Sequence, residues 1–367
     1  MFDTDVFVLG GGPAGLAAAI AARRKGLRVM VADTERPPID KACGEGLMPD
    51  SLAAAARLGI EIPSDAGYAF RGISFCGSKH SVKALFPDGA GRGLRRTILH
   101  PLLVDCAERA GVDLHWGVHV TGLDDHTVKL RSGEVRARWI VGADGGQSSV
   151  RRWAGLDGFR RECRRFGFRQ HFHVAPWSEF MEIHWGDGCQ FYVTPVSKEE
   201  ICLVLMTRDS HMRLHDALPR FPALLERLGD TAAATPERGS PAATRRLHHV
   251  ANGHVALIGD ASGTVDAITG EGLCQAFQQS IALAEAIAAG DLSLYDAAHR
   301  KLSRRPVFMA DFMLTMDVLP RLRERALAAL SSKPKLFSNL LAMHVGQLSV
   351  PQFAATAASL GWRIATR

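Results

Sequence analysis

The chain has 367 residues, 47% of them hydrophobic, with 44 basic against 38 acidic side chains and a formal net charge of +6. That length buries a large core and holds two joined domains, or one nucleotide domain with a substantial insertion. Acids and bases alternate along most of it, so a pI near 9.1 describes a mildly basic surface and excludes a polycation built for nucleic acid.

No apolar run approaches the roughly 18 residues of a membrane helix. Seven cysteines, at 43, 76, 106, 163, 189, 202 and 274, show no C-x-x-C spacing, which argues for a reducing cytoplasm and against a disulfide frame or a metal site. The first strand starts within five residues of Met1 and leaves no room for a cleavable leader, so a cytoplasmic location is expected.

Val6-Phe7-Val8-Leu9 predicts a short buried strand, and residues 13–25, rich in Ala and Leu and stopped by Gly26, predict a helix. Between them stands Gly10-Gly11-Gly12-Pro13-Ala14-Gly15. Gly10 permits the tight turn, Gly12 removes the side chain that would keep a pyrophosphate off the backbone, and Gly15 lets helix pack on strand. The amides at the helix start attract phosphate charge. Residues 28–33 read as the second strand, whose terminal Asp33 stands where a carboxylate accepts hydrogen bonds from an adenosine ribose. The pattern predicts dinucleotide binding.

Residues 70–90 are short, Gly-rich and strand-like. Arg96 opens a helical apolar pattern through Leu99, Leu103 and Ala107, placing its guanidinium at a helix start, either free for cofactor or substrate or as a simple cap; Arg95 is its rival. Trp139-Ile140-Val141 then runs into Gly142-Ala143-Asp144-Gly145, a carboxylate at the carboxyl end of a strand, where open α/β sheets bind ligands.

Arg160, Arg161, Arg164, Arg165 and Arg169 read as a solvated basic face or as an anion site for a nicotinamide phosphate, a carrier-bound substrate or an acidic membrane. Strand patterns follow at 168–174, 181–185, 190–193 and 201–206, the texture of an antiparallel sheet. On one of them Arg169, His171 and His173 alternate onto one face. With Tyr192 and Cys43 they are candidates for contact with substrate, against the plainer reading of structural histidines and a small packing cysteine.

Another buried strand, 254–258, delivers Gly259-Asp260, and Gly270-Glu271-Gly272 opens an Ala-rich helix over 272–289. Asp260 suits flavin ribityl hydroxyls. The helix start offers free amides and a positive dipole to the pyrimidine edge of an isoalloxazine, and Glu271 reads as a first-turn acid complementing that dipole, with a catalytic group as the less common alternative. In the tail, Phe308, Met309, Phe312, Met313, Met316, Leu319, Phe337, Leu340, Leu341 and Met343 recur at helical spacing between basic residues. They read as core packing or as a greasy entrance for a lipid-like substrate.

These three signatures, with Lys41-Ala42-Cys43-Gly44-Glu45-Gly46-Leu47 and the run Ile268-Thr269-Gly270-Glu271-Gly272-Leu273, resemble the FAD-dependent oxidoreductases of the p-hydroxybenzoate hydroxylase fold over residues 4–290. The likeness is strongest to geranylgeranyl reductases and to monooxygenases of polyketide and other secondary metabolism. Ala267 stands where the family usually has proline, and Tyr192 and Pro195 half-match the Y-x-W-x-F-P pattern of prenyl reductases; the W-x-W-x-I-P signature of tryptophan-type halogenases is absent.

The resemblance implies an α/β fold: a Rossmann-like FAD-binding domain (1–70, 91–156, 251–300) interrupted by an antiparallel β-sheet substrate domain (71–90, 157–250), with a C-terminal helical tail (301–367). It implies bound FAD touching Gly10, Gly12, Pro13, Ala14, Gly15, Asp33, Lys41, Cys43, Arg96, Val120, Asp144, Gly145, Gly259, Asp260, Gly270, Gly272 and Leu273. With no second glycine fingerprint for a nicotinamide domain, NAD(P)H is expected to visit the flavin briefly, and O2 to be the co-substrate of a hydroxylase acting on a hydrophobic phenolic, polyketide or quinone-like molecule. Two alternatives stay open: a reductase of isoprenoid C=C bonds, and a non-catalytic carrier of prenylated partners. Contact with a membrane surface or a carrier protein goes with the basic and apolar surface.

Overall fold

The computed structural model describes residues 1–366. The chain opens with β1 (Thr4–Leu9), α1 (Pro13–Arg23) and β2 (Val29–Asp33), a unit in which β1 and β2 pair parallel, Val6 opposite Val29. Small residues let α1 lie flat on the sheet: Ala17, Ala19, Leu16 and Ile20 are all buried. Each fully covered Leu or Ile contributes about 1.5–3 kcal/mol.

The chain then leaves this sheet through β3 (Gly46–Leu47), α2 (Pro49–Arg57), β4 (Tyr68–Phe70), β5 (Gly72–Cys76), β6 (Ser81–Leu85) and β7 (Gly91–Gly93). It returns with α3 (Arg96–Arg109), β8 (Asp113–Trp116), β9 (Val120–Asp124), β10 (Thr127–Leu130) and β11 (Gly133–Gly142), and α4 (Ser149–Trp153) follows. A second excursion runs through β12 (Phe159–Cys163), β13 (Phe166–Phe172), β14 (Phe180–Trp185), β15 (Cys189–Pro195), β16 (Ile201–Thr207), α5 (Leu214–Ala217), α6 (Pro222–Leu228), β17 (Arg238–Pro241) and β18 (Thr244–Leu247). Then come β19 (Ala251–Asn252), β20 (Val255–Leu257), α7 (Gly272–Ala289), α8 (Ser293–Val318), α9 (Pro320–Ser332), α10 (Pro334–His344) and α11 (Val350–Ala365).

Two sheets dominate. The first has the order β19-β20-β11-β1-β2-β8, with the β9–β10 hairpin hung on β11; β20, β11, β1, β2 and β8 run parallel. Helices α1, α3 and α7 cover one face, burying Leu103, Phe277 and Tyr295 with the strand side chains. The second sheet has the order β17-β13-β16-β15-β14-β5-β6.

This second sheet is mixed and not purely antiparallel: β14 pairs parallel with β5, Phe180 opposite Gly72. The two strands come from separate excursions, so the link between them passes through the nucleotide sheet and no hairpin constrains their direction. One face of this sheet packs on α8–α11, with Phe75 against Phe337 at 4.7 Å, and the other packs on α5 and α6. α8 runs unbroken from Ser293 to Val318, across residue 301, with Pro306 inside it. Among the described residues no helix is long and apolar enough to cross a membrane.

Candidate cofactor site

The phosphate-binding turn is set by contacts that only glycine permits. Gly10 has φ +112°, and a methyl group on Gly15 would lie 1.8 Å from the Gly10 carbonyl oxygen. Gly12 is different: a methyl there meets only Arg96 Nη2, at 3.8 Å, so Gly12 keeps clear the space over the first turn of α1. Arg96, the first residue of α3, therefore reaches over the phosphate loop, and its buried Nε has no hydrogen-bond partner. Arg95 is committed elsewhere, to Glu200 at 3.3 Å.

Two supports of this turn carried no short-range signal in the sequence. His100 Nε2 lies 2.9 Å from the Gly11 carbonyl oxygen; a carbonyl only accepts, so this nitrogen carries the proton. Burial holds the His100 pKa below its usual value. Trp116, on β8, presses on Gly11, where a methyl would come within 2.2 Å of the indole.

Asp33 ends β2 and accepts from the Gly11 N–H at 2.6 Å and the Glu35 N–H at 2.8 Å. Val118 donates to the Asp33 carbonyl at 3.0 Å, which brings half-buried Val120, at the start of β9, alongside this end of the site.

The other two signatures close on the first. A methyl on Gly10 would strike the Ala143 carbonyl, and one on Gly259 (φ +59°) would strike Ala14 Cβ at 2.6 Å. Lys41 spans the gap: its Nζ lies 3.4 Å from Asp260 Oδ2 and close to Gly145. Asp144 caps α4, its Oδ2 accepting from Ser149 N at 2.6 Å and Val150 N at 3.2 Å, while its buried Oδ1 has no partner. Gly270 (φ +68°) ends a 3₁₀ turn and Gly272 opens α7, with Leu273 half-buried behind it; methyls on Gly272 and Gly44 would meet nothing within 4 Å.

This donor set fits FAD: an amide-lined turn with Arg96 for the pyrophosphate, Asp33 for a ribose, an unfilled acceptor on Asp144, and open space before the amino end of α7.

The loop before Gly270 is clamped from the second sheet. Tyr192 donates its hydroxyl to the Ile268 carbonyl at 2.9 Å, and Arg165 pairs with Asp266 at 2.8 Å with both side chains fully buried. Asp266 in turn accepts from Ile268 N and Thr244 Oγ1. Tyr192 thus positions a loop, and its burial drives the phenol pKa upward.

Arg169 and His171 share a face of β13, but they are consumed in a buried clasp. Arg169 binds Asp40 and Glu45, both at 2.9 Å, and His171 Nε2 lies 2.7 Å from Glu45 Oε2. Burial is the largest single influence on Asp40 and opposes its charge, yet the Arg169 hydrogen bonds together with the Arg169 and Arg238 charges outweigh it and hold that carboxyl below its usual range. Glu45 also accepts from Arg96 N at 3.0 Å and sits at φ +58°, a left-handed conformation that side chains other than glycine's rarely adopt.

The five-arginine cluster therefore splits: Arg165 and Arg169 are buried ion-pair partners, and Arg161 pairs with Asp311 on α8. His173 lies past the end of β13 and is exposed. Cys43 is half-buried, its Sγ 3.4 Å from Glu45 N, and all seven cysteines are unpaired. Glu45, His171 and Cys202 have the spacing of a metal site, but the Arg169 guanidinium already neutralises Glu45.

Beside Gly270 lies a narrow apolar pocket whose non-atom space, counted together with its opening to solvent, is about 470 Å³. Met181 and Ile183 of β14, Ile73 and Phe75 of β5, Met309 and Met313 of α8, and Phe337 and Leu341 of α10 wall it. The Met- and Phe-rich tail is thus both core and cavity wall. Met181 Cε lies 4.0 Å from a methyl placed on Gly270, so the cavity reaches the α7 loop.

Glu271 departs from its expected role. It occupies the N-cap position of α7 without making a cap hydrogen bond; it is 1% exposed, and neither carboxylate oxygen has a partner. His344 Nδ1 and Arg305 Nη2 each lie 3.8 Å from it.

The FAD-binding domain family matches residues 3–301. Menaquinone reductase of Mycobacterium tuberculosis is 26% identical over 380 aligned residues, covering 92% of this chain and 92% of the relative. Digeranylgeranylglycerophospholipid reductase 1 of Methanococcoides burtonii is 28% identical over 340, covering 79% and 76%. Rifampicin monooxygenase of Streptomyces venezuelae is 33% identical over 169, covering 41% and 34%. A flavoprotein/dehydrogenase from Cytophaga hutchinsonii shares the fold, with TM-score 0.84, 18% identity and coverage of 99% and 98%. With a phosphate turn, a ribose acid and an α7 amino end converging on one space, the chain belongs to the FAD-binding domain family and is an FAD-dependent oxidoreductase.

Proposed function

We propose that the protein is an FAD-dependent reductase that saturates a carbon–carbon double bond in a molecule bearing an isoprenoid chain. The observation that carries this reading is the apolar cavity beside Gly270, in which twelve of fourteen lining residues are hydrophobic. A branched hydrocarbon chain fits such a wall, and each methylene removed from water contributes about 0.8 kcal/mol to binding. Menaquinone reductase and digeranylgeranylglycerophospholipid reductase 1, two of the relatives matched over most of their length, are reductases by name, and the second is named for a geranylgeranyl lipid.

Bound FAD supplies two-electron hydride chemistry, recharged by NAD(P)H or a donor of that kind. The chain's residues bind and orient. Arg96 and the α1 amino end take the pyrophosphate, Asp33 a ribose, and Lys41 with Asp260 the region between. The amino end of α7 stabilises negative charge at the pyrimidine edge. Met-rich walls adapt to a flexible chain and exclude water.

The test is anaerobic: reduced holoenzyme is mixed under argon with a polyprenyl lipid, and flavin reoxidation and product mass are followed. Reoxidation with gain of two hydrogens is expected. A second reading, oxygenation of a hydrophobic ring or enol, is supported by the likeness of part of the chain to rifampicin monooxygenase. Product that forms only in air and carries an added oxygen would establish it instead.

A further inference from the structure

Saturating a C=C bond takes a proton as well as a hydride, so the cavity must offer an acid. Its lining contains only two polar side chains, Thr269 and His344. Thr269 Oγ1 donates to the Asp266 carbonyl at 3.2 Å and is too weak an acid to protonate an alkene. His344 is what remains.

The surroundings of His344 fix where its protons are. Nε2 lies 3.1 Å from the Thr269 carbonyl oxygen, which only accepts, so Nε2 carries a hydrogen. In a neutral ring Nδ1 is then a bare lone pair, and it faces Glu271 Oε2 at 3.8 Å. Two acceptors would oppose each other in a buried place; at 3.8 Å they share no hydrogen bond, and a proton carried by either one removes the repulsion.

Burial also holds the Glu271 carboxyl above its usual range. Around the pair, Gln275 has both amide atoms without partners, and Arg305 Nε has none. Arg305 reaches both Glu271, at 3.8 Å, and Asp50, at 3.2 Å, and Cys274 contacts Asp50. Asp50 and Arg305 are the other charged groups that face Glu271.

We propose that one proton resides on either Glu271 or His344 and that the pair delivers a proton to the substrate through His344. This rests on the reductase reading. In the step, His344 Nε2 would release the Thr269 carbonyl and give its proton to one alkene carbon, while Nδ1 keeps the pair's other proton or takes it from Glu271; bound FAD, reduced by a nicotinamide-class donor, would supply the hydride for the other alkene carbon. One C=C bond becomes a single bond with two new C–H bonds, and Glu271 is left as a carboxylate that regains its proton from solvent. His344 is the catalytic residue, and Glu271 acts through it.

Two measurements on the holoenzyme test this. Infrared difference spectra against Glu271→Gln, with ¹⁵N shifts of the His344 ring, count the protons at neutral pH: a neutral Glu271 or a doubly protonated His344 is expected. An ionised Glu271 beside a singly protonated His344 overturns the proposal. In anaerobic single-turnover experiments, His344→Asn is expected to slow reoxidation by a polyprenyl acceptor at least ~10²-fold, and an unchanged rate overturns it.

Should His344→Asn lose FAD, the wild-type spectra and the pH profile of Glu271→Gln decide; a profile unchanged by that substitution overturns the role of Glu271. If wild-type reduced enzyme is not reoxidised by any prenyl lipid, the reductase reading fails and takes the delivery step with it. The proton count would then still show whether the pair exists.

Discussion

Gly15 packs against Gly10 so closely that a single methyl group on Gly15 would lie 1.8 Å from the Gly10 carbonyl oxygen. Backbone meets backbone here, and no side-chain movement can relieve the overlap. Gly15→Ala is expected to yield protein that purifies colourless or takes up FAD at least tenfold more weakly, read from its visible absorbance. Normal FAD content would show that the phosphate turn is not the cofactor's anchor.

Filling the cavity should separate substrate from cofactor. Met313 lines the apolar space on α8, so Met313→Trp is expected to raise KM for long-chain acceptors about tenfold, while FAD content stays at the wild-type level. Equal KM for short and long acceptors in the variant would place the substrate elsewhere.

Arg165 and Asp266 form an ion pair without solvent contact, just before the loop that ends at Gly270. Removing one partner strands a buried charge at a cost of about 3–5 kcal/mol. Arg165→Met should lower stability by that amount in chemical denaturation, and Arg165→Met combined with Asp266→Asn should recover part of it. Equal losses in the single and double variants would mean that the charge pairing is not what matters.

His299 on α8 makes a hydrogen bond with Ser262 Oγ at 3.0 Å, and burial lowers its pKa to about 4. An unfolded imidazole titrates near 6.5. Between these values the unfolded chain binds a proton that the folded chain refuses, so stability is full above about pH 6.5 and falls as the pH drops toward 4, by at most about 3 kcal/mol. Thermal midpoints measured against pH should show this slope in wild type and a shallower one in His299→Gln.

The glycine turns and strand-end acids of the candidate cofactor site were legible as local structure because their signals are local. Gly10 to Gly15, Asp33, Asp144 and Gly270 to Gly272 each lie at the carboxyl end of a strand or the start of a helix, where a few adjacent residues dictate both backbone and chemistry. The substrate half was not, because its partners meet from afar. Arg169 and His171 were readable only as candidates for substrate contact or as structural residues on a strand, because their partner Glu45 lies 124 and 126 residues away in sequence. Its left-handed backbone in Cys43-Gly44-Glu45-Gly46 carried no periodic signal. Glu271 looked like a helix-start acid because nothing within a few turns shows that α8 and α10 bury it. Alternation reported which residues share a face of β13, but not what covers that face.

Neither sheet can be finished from a contiguous stretch of chain. The parallel sheet waits for Val255–Leu257 to flank β11, and the other must bring Gly72–Cys76 to lie beside Phe180–Trp185. During synthesis both half-built layers leave edges and greasy faces open until more than two thirds of the polypeptide has left the ribosome. Such long-range closure makes for slow folding, and the nascent protein is expected to depend on chaperones until its last helices cap the second layer.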